Sequence, residues 1–147
     1  MAMKLKFINI IFLFTMFINC SFASNPTGTW ISIDDKTEKP RSEIKVWESY
    51  GKLYGKIVKV YGMKDEQTVC TRCTGSFKNK LIKGLTIMWD LDPKGNSVWG
   101  GGKILDPESG KIYNVKIKLS PSGNELEVRG YIGVSTFGRT QKWTRKI

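Results

Sequence analysis

The chain has 147 residues, 40% of them hydrophobic, 25% charged and 12% aromatic, and its 24 Lys and Arg outnumber its 13 Asp and Glu to give a formal charge of +11. That composition fits one globular domain and excludes a collagen-like, disordered or polytopic membrane chain. His is absent, which removes Ser-His-Asp and Cys-His catalysis, His-based zinc sites and any histidine pH switch.

Lys4 and Lys6 precede an apolar run from Phe7 to Ile18, followed by small residues at Ser21 and Ala23. The run is too short for a helix to cross a bilayer core of about 30 Å, so a membrane anchor fits less well than a secretory signal peptide ending at Ala23. Residues 1–23 are therefore expected to be a signal and 24–147 a single domain, exported to the periplasm or cell envelope. Lipidation at Cys20 is the weaker alternative, because Phe17-Ile18-Asn19 lacks the usual small residue before it.

Beyond the signal, apolar residues recur with a period near two, and turn residues interrupt them at short intervals. Strands are predicted at Gly28 to Ile33, Ser42 to Glu48 and Leu53 to Tyr61. In the second, Ile44 and Val46 share one face and Glu43, Lys45 and Trp47 the other. Gly62 to Lys83 reads as the longest irregular segment, carrying Cys70 and Cys73. Further strands are predicted at Gly84 to Asp90, Ser97 to Leu105, Lys111 to Leu119, Glu125 to Tyr131 and Phe137 to Arg145, with turns at Asp92 to Asn96, Asp106 to Gly110 and Ser120 to Asn124.

Eight antiparallel strands, each with one apolar face, predict an all-β meander closed into a barrel, since closure removes exposed edges. A two-sheet sandwich is the alternative. Eight strands stand at the boundary between an interior filled by side chains and one that holds a small ligand. The abundant lysines fall on outward positions as a solvated basic surface, and only five of the cations are Arg.

Gly28-Thr29-Trp30 at the start and Arg145 at the end resemble the signature of the calycins, lipocalin-type barrels in which a basic side chain from the closing strand covers the tryptophan. A longer set is similar to the bacterial exported family called domain of unknown function 2147: Cys70-x-x-Cys73-x-Gly75, Gly84 to Ile87, Trp99 to Pro107, Gly110-Lys111-x-Tyr113, Arg129 to Gly133, and Gly138 to Gln141 with Trp143 and Arg145. The resemblance spans nearly all of the chain after the signal. It implies an envelope protein with a lipocalin-like barrel, structural roles for Gly28, Trp30 and Arg145, and no established catalytic residues.

Cys70 and Cys73 admit three readings. Export favours a disulfide that fixes the long loop. A redox pair needs a lowered thiol pKa, for which Arg72 supplies a cation but no helix follows. A metal site would need further soft ligands. Gly100-Gly101-Gly102-Lys103 looks like a phosphate cradle, yet a strand continues after it instead of a helix, so a barrel bend is expected.

Alternation in the last strand puts Phe137, Arg139, Gln141, Trp143 and Arg145 on one face, which should point inward. Arg139 and Gln141 would then need partners: either a carboxylate such as Asp90 or Asp106 or the hydroxyls of Tyr113 or Tyr131, or a ligand. The candidate ligand contacts are Arg139, Gln141, Trp143, Tyr113, Tyr131 and Trp99. Paired acids occur at Asp34-Asp35, Asp65-Glu66, Asp90-x-Asp92 and Asp106-x-Glu108, all near turns and expected to be solvated, so no catalytic constellation, metal or cofactor is expected. The expected function is binding a small apolar or amphiphilic ligand in the barrel. The alternative is a structural or adaptor module docking on an anionic envelope polymer or lipid through its basic surface. Export makes nucleic acid an unfavoured partner despite the charge.

Overall fold

The structure, a computed structural model, describes residues 25–62 and 67–147. The expected signal peptide, Cys20 and the Asp65-Glu66 pair lie outside the described residues. The strands are β1 (Gly28–Ile33), β2 (Pro40–Ser49), β3 (Lys52–Val60), β4 (Thr86–Gly95), β5 (Val98–Asp106), β6 (Lys111–Leu119), β7 (Glu125–Tyr131) and β8 (Gly138–Arg145). Each pairs antiparallel with the next, and β8 returns to β1 through Trp30↔Arg145, Ile31↔Thr144 and Ser32↔Trp143. The result is a closed barrel, and the sandwich alternative is set aside.

Period-two patterning explains which side chains enter. Leu126 and Val128 of β7 are buried while Glu127 between them faces water, and Val115, Ile117 and Leu119 of β6 do the same against intervening lysines. The β4–β5 boundary differs most from the sequence expectation. β4 runs on through Pro93 to Gly95, and the turn is Asn96-Ser97, both left-handed at φ 52° and 58°. A two-residue turn with both centres left-handed matches the twist of a hairpin, so the strands stay paired almost to its tip.

The glycine run is where β5 bends. Its pairing with β6 shifts register between Gly100 and Gly102, and Gly101 has φ +80°. A Cβ on Gly102 would overlap the Trp89 carbonyl, so the bulge needs glycine there.

At one end the barrel is plugged. Trp30 is fully buried and its indole N–H donates to the Pro26 carbonyl at 2.8 Å. The Arg145 guanidinium lies 4.3 Å from the ring centre and donates to the carbonyls of Gly123 (2.7 Å), Thr27 (2.8 Å) and Asn25 (2.8 Å). A Cβ on Gly28 would stand 2.9 Å from Arg145 Nη1, at a φ of +128°. Above this plug Trp143, Leu91, Ile117, Leu119 and Leu126 fill the interior. Toward the other end the filling stops.

Candidate functional site

A meander places alternate connections at the same end of the barrel. The tight β2–β3, β4–β5 and β6–β7 turns lie at the plugged end, and the longer β1–β2, β3–β4, β5–β6 and β7–β8 connections surround the other. Between these four a cavity of about 820 Å³ opens, a volume typical of small-molecule sites. Its wall is Ile44, Ile57, Ile87, Ile104 and Val128, with Trp143 as floor. These are inward positions of five different strands, and small residues at Ser32, Ser42 and Gly130 leave the space that larger side chains would fill. Gln141 and Tyr113 add polar groups on the wall.

Charge gathers at the mouth. Three of the five arginines, Arg41, Arg72 and Arg139, line a side recess of about 270 Å³ together with Asp34, Asp106 and Glu108. Arg139 forms a two-pronged pair with Asp35, its Nε donating to Oδ2 at 2.7 Å and its Nη2 to Oδ1. That hydrogen-bonded guanidinium holds the Asp35 carboxyl below the usual carboxylate range. Arg41 donates to Glu108 at 2.5 Å and lies 3.8 Å from Asp34. The backbone N–H of Thr37, followed by the Thr37 hydroxyl and the Lys36 N–H, depresses Asp34. Arg72 donates to the backbone carbonyl of Glu108 at 3.2 Å.

The structure brings four of the six expected ligand contacts to this cavity. Arg139, Gln141, Trp143 and Tyr113 line it; Trp99 and Tyr131 do not. Tyr131 faces outward, because its neighbour Gly130 occupies the inward position and pairs with Val115 and Arg139. The alternation of Leu126 and Val128 already carried that signal. Trp99 packs on the core near the plugged end, beside Pro93 and Ile117.

Arg139 also differs from expectation. β8 has reached the mouth at that point, so its side chain is 56% exposed and paired with Asp35. The two carboxylates expected as its partners hydrogen-bond to other groups. Asp90 accepts from Tyr54 Oη on the outer wall at 2.9 Å, and Asp106 accepts from Ser109 Oγ at 2.7 Å within its own turn. Arg72 and Asp35 were missed because loop residues have no period to read, and Arg41 because it stands at the very start of β2, ahead of the alternation that could be read. Ile132 of the β7–β8 connection also borders the cavity and was missed for the same reason, whereas Phe137, expected on the inward face of the last strand, stands one residue before β8 and borders the cavity as well.

Cys70 and Cys73 are joined in a disulfide, and both are buried. Thr71 and Arg72 between them line the cavity. Cys70 Sγ lies 3.4 Å from the Pro107 carbonyl, and a Cβ on Gly110 would overlap the Arg72 carbonyl. The staple therefore seats one wall of the mouth on the β5–β6 turn.

A closed meander, plugged by an arginine over a tryptophan and open at the far end onto an apolar cup, defines a lipocalin-like barrel. The fold is shared with a solved structure described as "Protein HP1028 from the human pathogen Helicobacter pylori belongs to the lipocalin family", which is 24% identical, with 84% of each chain covered and a TM-score of 0.73. Residues 28–145 match the family described as uncharacterized protein conserved in bacteria, DUF2147, and the chain belongs to that family. No curated protein matches it.

Proposed function

We propose that the protein is exported to the cell envelope and there carries a small amphiphile. The apolar part would sit on the isoleucine wall above Trp143, and the anionic or hydroxylated head among Arg41, Arg72 and Arg139. The observation that carries this reading is the cavity itself: about 820 Å³, apolar below, with Arg41, Arg72 and Arg139 beside Asp34, Asp106 and Glu108 at the mouth. An apolar cup gains free energy for each methylene it takes from water, about 0.8 kcal/mol. Guanidinium groups at its edge give a planar fork for a carboxylate or phosphate. The alternative, an adaptor acting only through its basic surface, leaves a hollow interior without a use.

The test uses residues 24–147 and displacement of anilinonaphthalene sulfonate by dodecanoate. Gly130 is the position to fill: its Cβ would make ordinary contacts of 3.6 Å and 3.8 Å with Tyr113 and Ile104, and its side chain would project into the cavity. The expected result is saturable displacement, weakened at least tenfold by Gly130→Leu with unchanged far-UV circular dichroism. Arg139→Met should weaken dodecanoate more than dodecanol. Absence of displacement, or displacement untouched by Gly130→Leu, would overturn the proposal.

A further inference from the structure

Three of the large apolar side chains left exposed fall within one connection. Ile132 is 68% exposed, Val134 61% and Phe137 77%. Residues 132–138, Ile-Gly-Val-Ser-Thr-Phe-Gly, contain no charge at all. Such a cluster is costly in water and marks an interaction surface.

The connection is built to hold that display. Arg129, outside the barrel, donates through Nε to the Ser135 carbonyl at 2.7 Å, through Nη2 to the Thr136 carbonyl at 3.0 Å and through Nη1 to Thr140 Oγ1 at 2.8 Å. The Phe137 N–H donates to the Val134 carbonyl at 3.2 Å. The guanidinium thus clamps the polar backbone of the loop from behind while its apolar side chains stand in water. Among the described residues, none buries them.

The cavity says where the loop points. Ile132 and Phe137 line the cavity mouth, so the exposed surface is continuous with the apolar cup. The β3–β4 connection borders the same mouth through Val69, Thr71, Arg72 and Ile82. Its described part, residues 67–83, carries Arg72, Lys78, Lys80 and Lys83 and no acid, with Leu81 46% exposed among them. Among the described residues, Asp35 is held by Arg139, Glu108 by Arg41, Asp106 by Ser109 and Asp34 by the N–H groups of its own turn, while Glu38 stands exposed on the β1–β2 connection. An apolar finger and a basic loop on the same rim form the pairing that buries hydrocarbon in a bilayer surface while cations meet lipid phosphates.

We infer that the mouth of the barrel docks on an anionic lipid bilayer, with Ile132, Val134 and Phe137 entering the acyl boundary and Lys78 and Lys80 facing the phosphates. This deepens the carrier reading and rests on it for its purpose, since an amphiphile would then pass between membrane and cup without crossing water.

The test is co-sedimentation of residues 24–147 with vesicles of phosphatidylglycerol mixed into phosphatidylcholine, against phosphatidylcholine alone. The expected result is salt-sensitive binding to the anionic vesicles. Replacing Ile132, Val134 and Phe137 together by Ser should reduce it at least tenfold, and Lys78→Glu with Lys80→Glu should abolish the preference for phosphatidylglycerol. Wild-type protein that stays in the supernatant, a triple variant that sediments like wild type, or light scattering that shows a dimer broken by the triple substitution would overturn the inference. Dodecanoate displacement in vesicle-free solution separates the two proposals. Displacement retained without sedimentation refutes docking alone, and sedimentation without displacement refutes the carrier.

Discussion

Lys146, one residue past the last strand, donates a 2.8 Å hydrogen bond to Glu43 in the middle of β2. The other carboxylate oxygen accepts from the Tyr61 hydroxyl at 2.7 Å, with Lys59 Nζ 3.9 Å away. Glu43 lies on the outward face, yet its side chain is only 6% exposed, because Tyr61 and the chain end cover it. The cluster straps the end of the chain across the β1–β2 seam.

The hydrogen bond from Lys146, then that from Tyr61, hold the Glu43 carboxyl below its ordinary range, and Asp35 is lowered by Arg139. A carboxyl depressed in the folded state adds stability that is fully present above its unfolded pKa, about 4. That stability is lost as pH falls through the lower folded value. Lys146 is raised by Glu43, so its share is full below the unfolded lysine pKa and fades as pH rises through the higher folded one. Urea unfolding as a function of pH should show an acid limb that is shallower in Glu43→Gln. An identical acid limb in the variant would contradict the strap.

Removing the cap over Trp30 should weaken the plugged end. Arg145→Met leaves three backbone carbonyls without their donor and removes the cation above the indole. Hydrogen bonds from a charged donor and a cation–π contact are each worth about 1–3 kcal/mol, with part regained by hydration, so a net loss of about 2–3 kcal/mol is expected in urea midpoints. Arg145→Lys should fall between, because an ammonium is a point charge and cannot span the same fork of acceptors. Two variants indistinguishable from wild type would show that the cap is ornamental.

The Cys70–Cys73 ring is short, so the entropy its closure removes from the unfolded chain is small, about 2 kcal/mol at 25 °C. Reduction should therefore leave the barrel folded by far-UV circular dichroism. Hydrogen exchange should rise locally over residues 69–83, where backbone bonds such as Cys70 N–H to the Lys80 carbonyl (2.8 Å) and Ile82 N–H to the Thr68 carbonyl (2.9 Å) hold the loop. Global unfolding on reduction would show that the staple supports far more than the mouth.

Sequence made the barrel legible because each strand has one wet and one dry face, and that alternation is a local property. It also pointed to Trp30 and Arg145, and to Arg139, Gln141 and Trp143 as one face of β8. The pairing of Arg139 with Asp35 was not legible, since 104 residues separate them and only closure of the barrel brings them together. Arg41 and Arg72 reach the mouth from a strand end and a loop, where no periodicity applies. Glu43 obeys its alternation and is buried all the same, because what covers it comes from β3 and from the chain end. Tyr131 was wrongly expected among the ligand contacts although its parity with Glu127 and Arg129 sets it outside the cup.

The claim on which the account turns is that the upper barrel holds an amphiphile. Native mass spectrometry of the protein purified from its own host tests this most directly. We expect a discrete bound species with a hydrocarbon tail and an acidic or hydroxylated head, lost in Gly130→Leu. Repeated spectra of the bare chain, from preparations in which Gly130→Leu and wild type cannot be told apart, would contradict it.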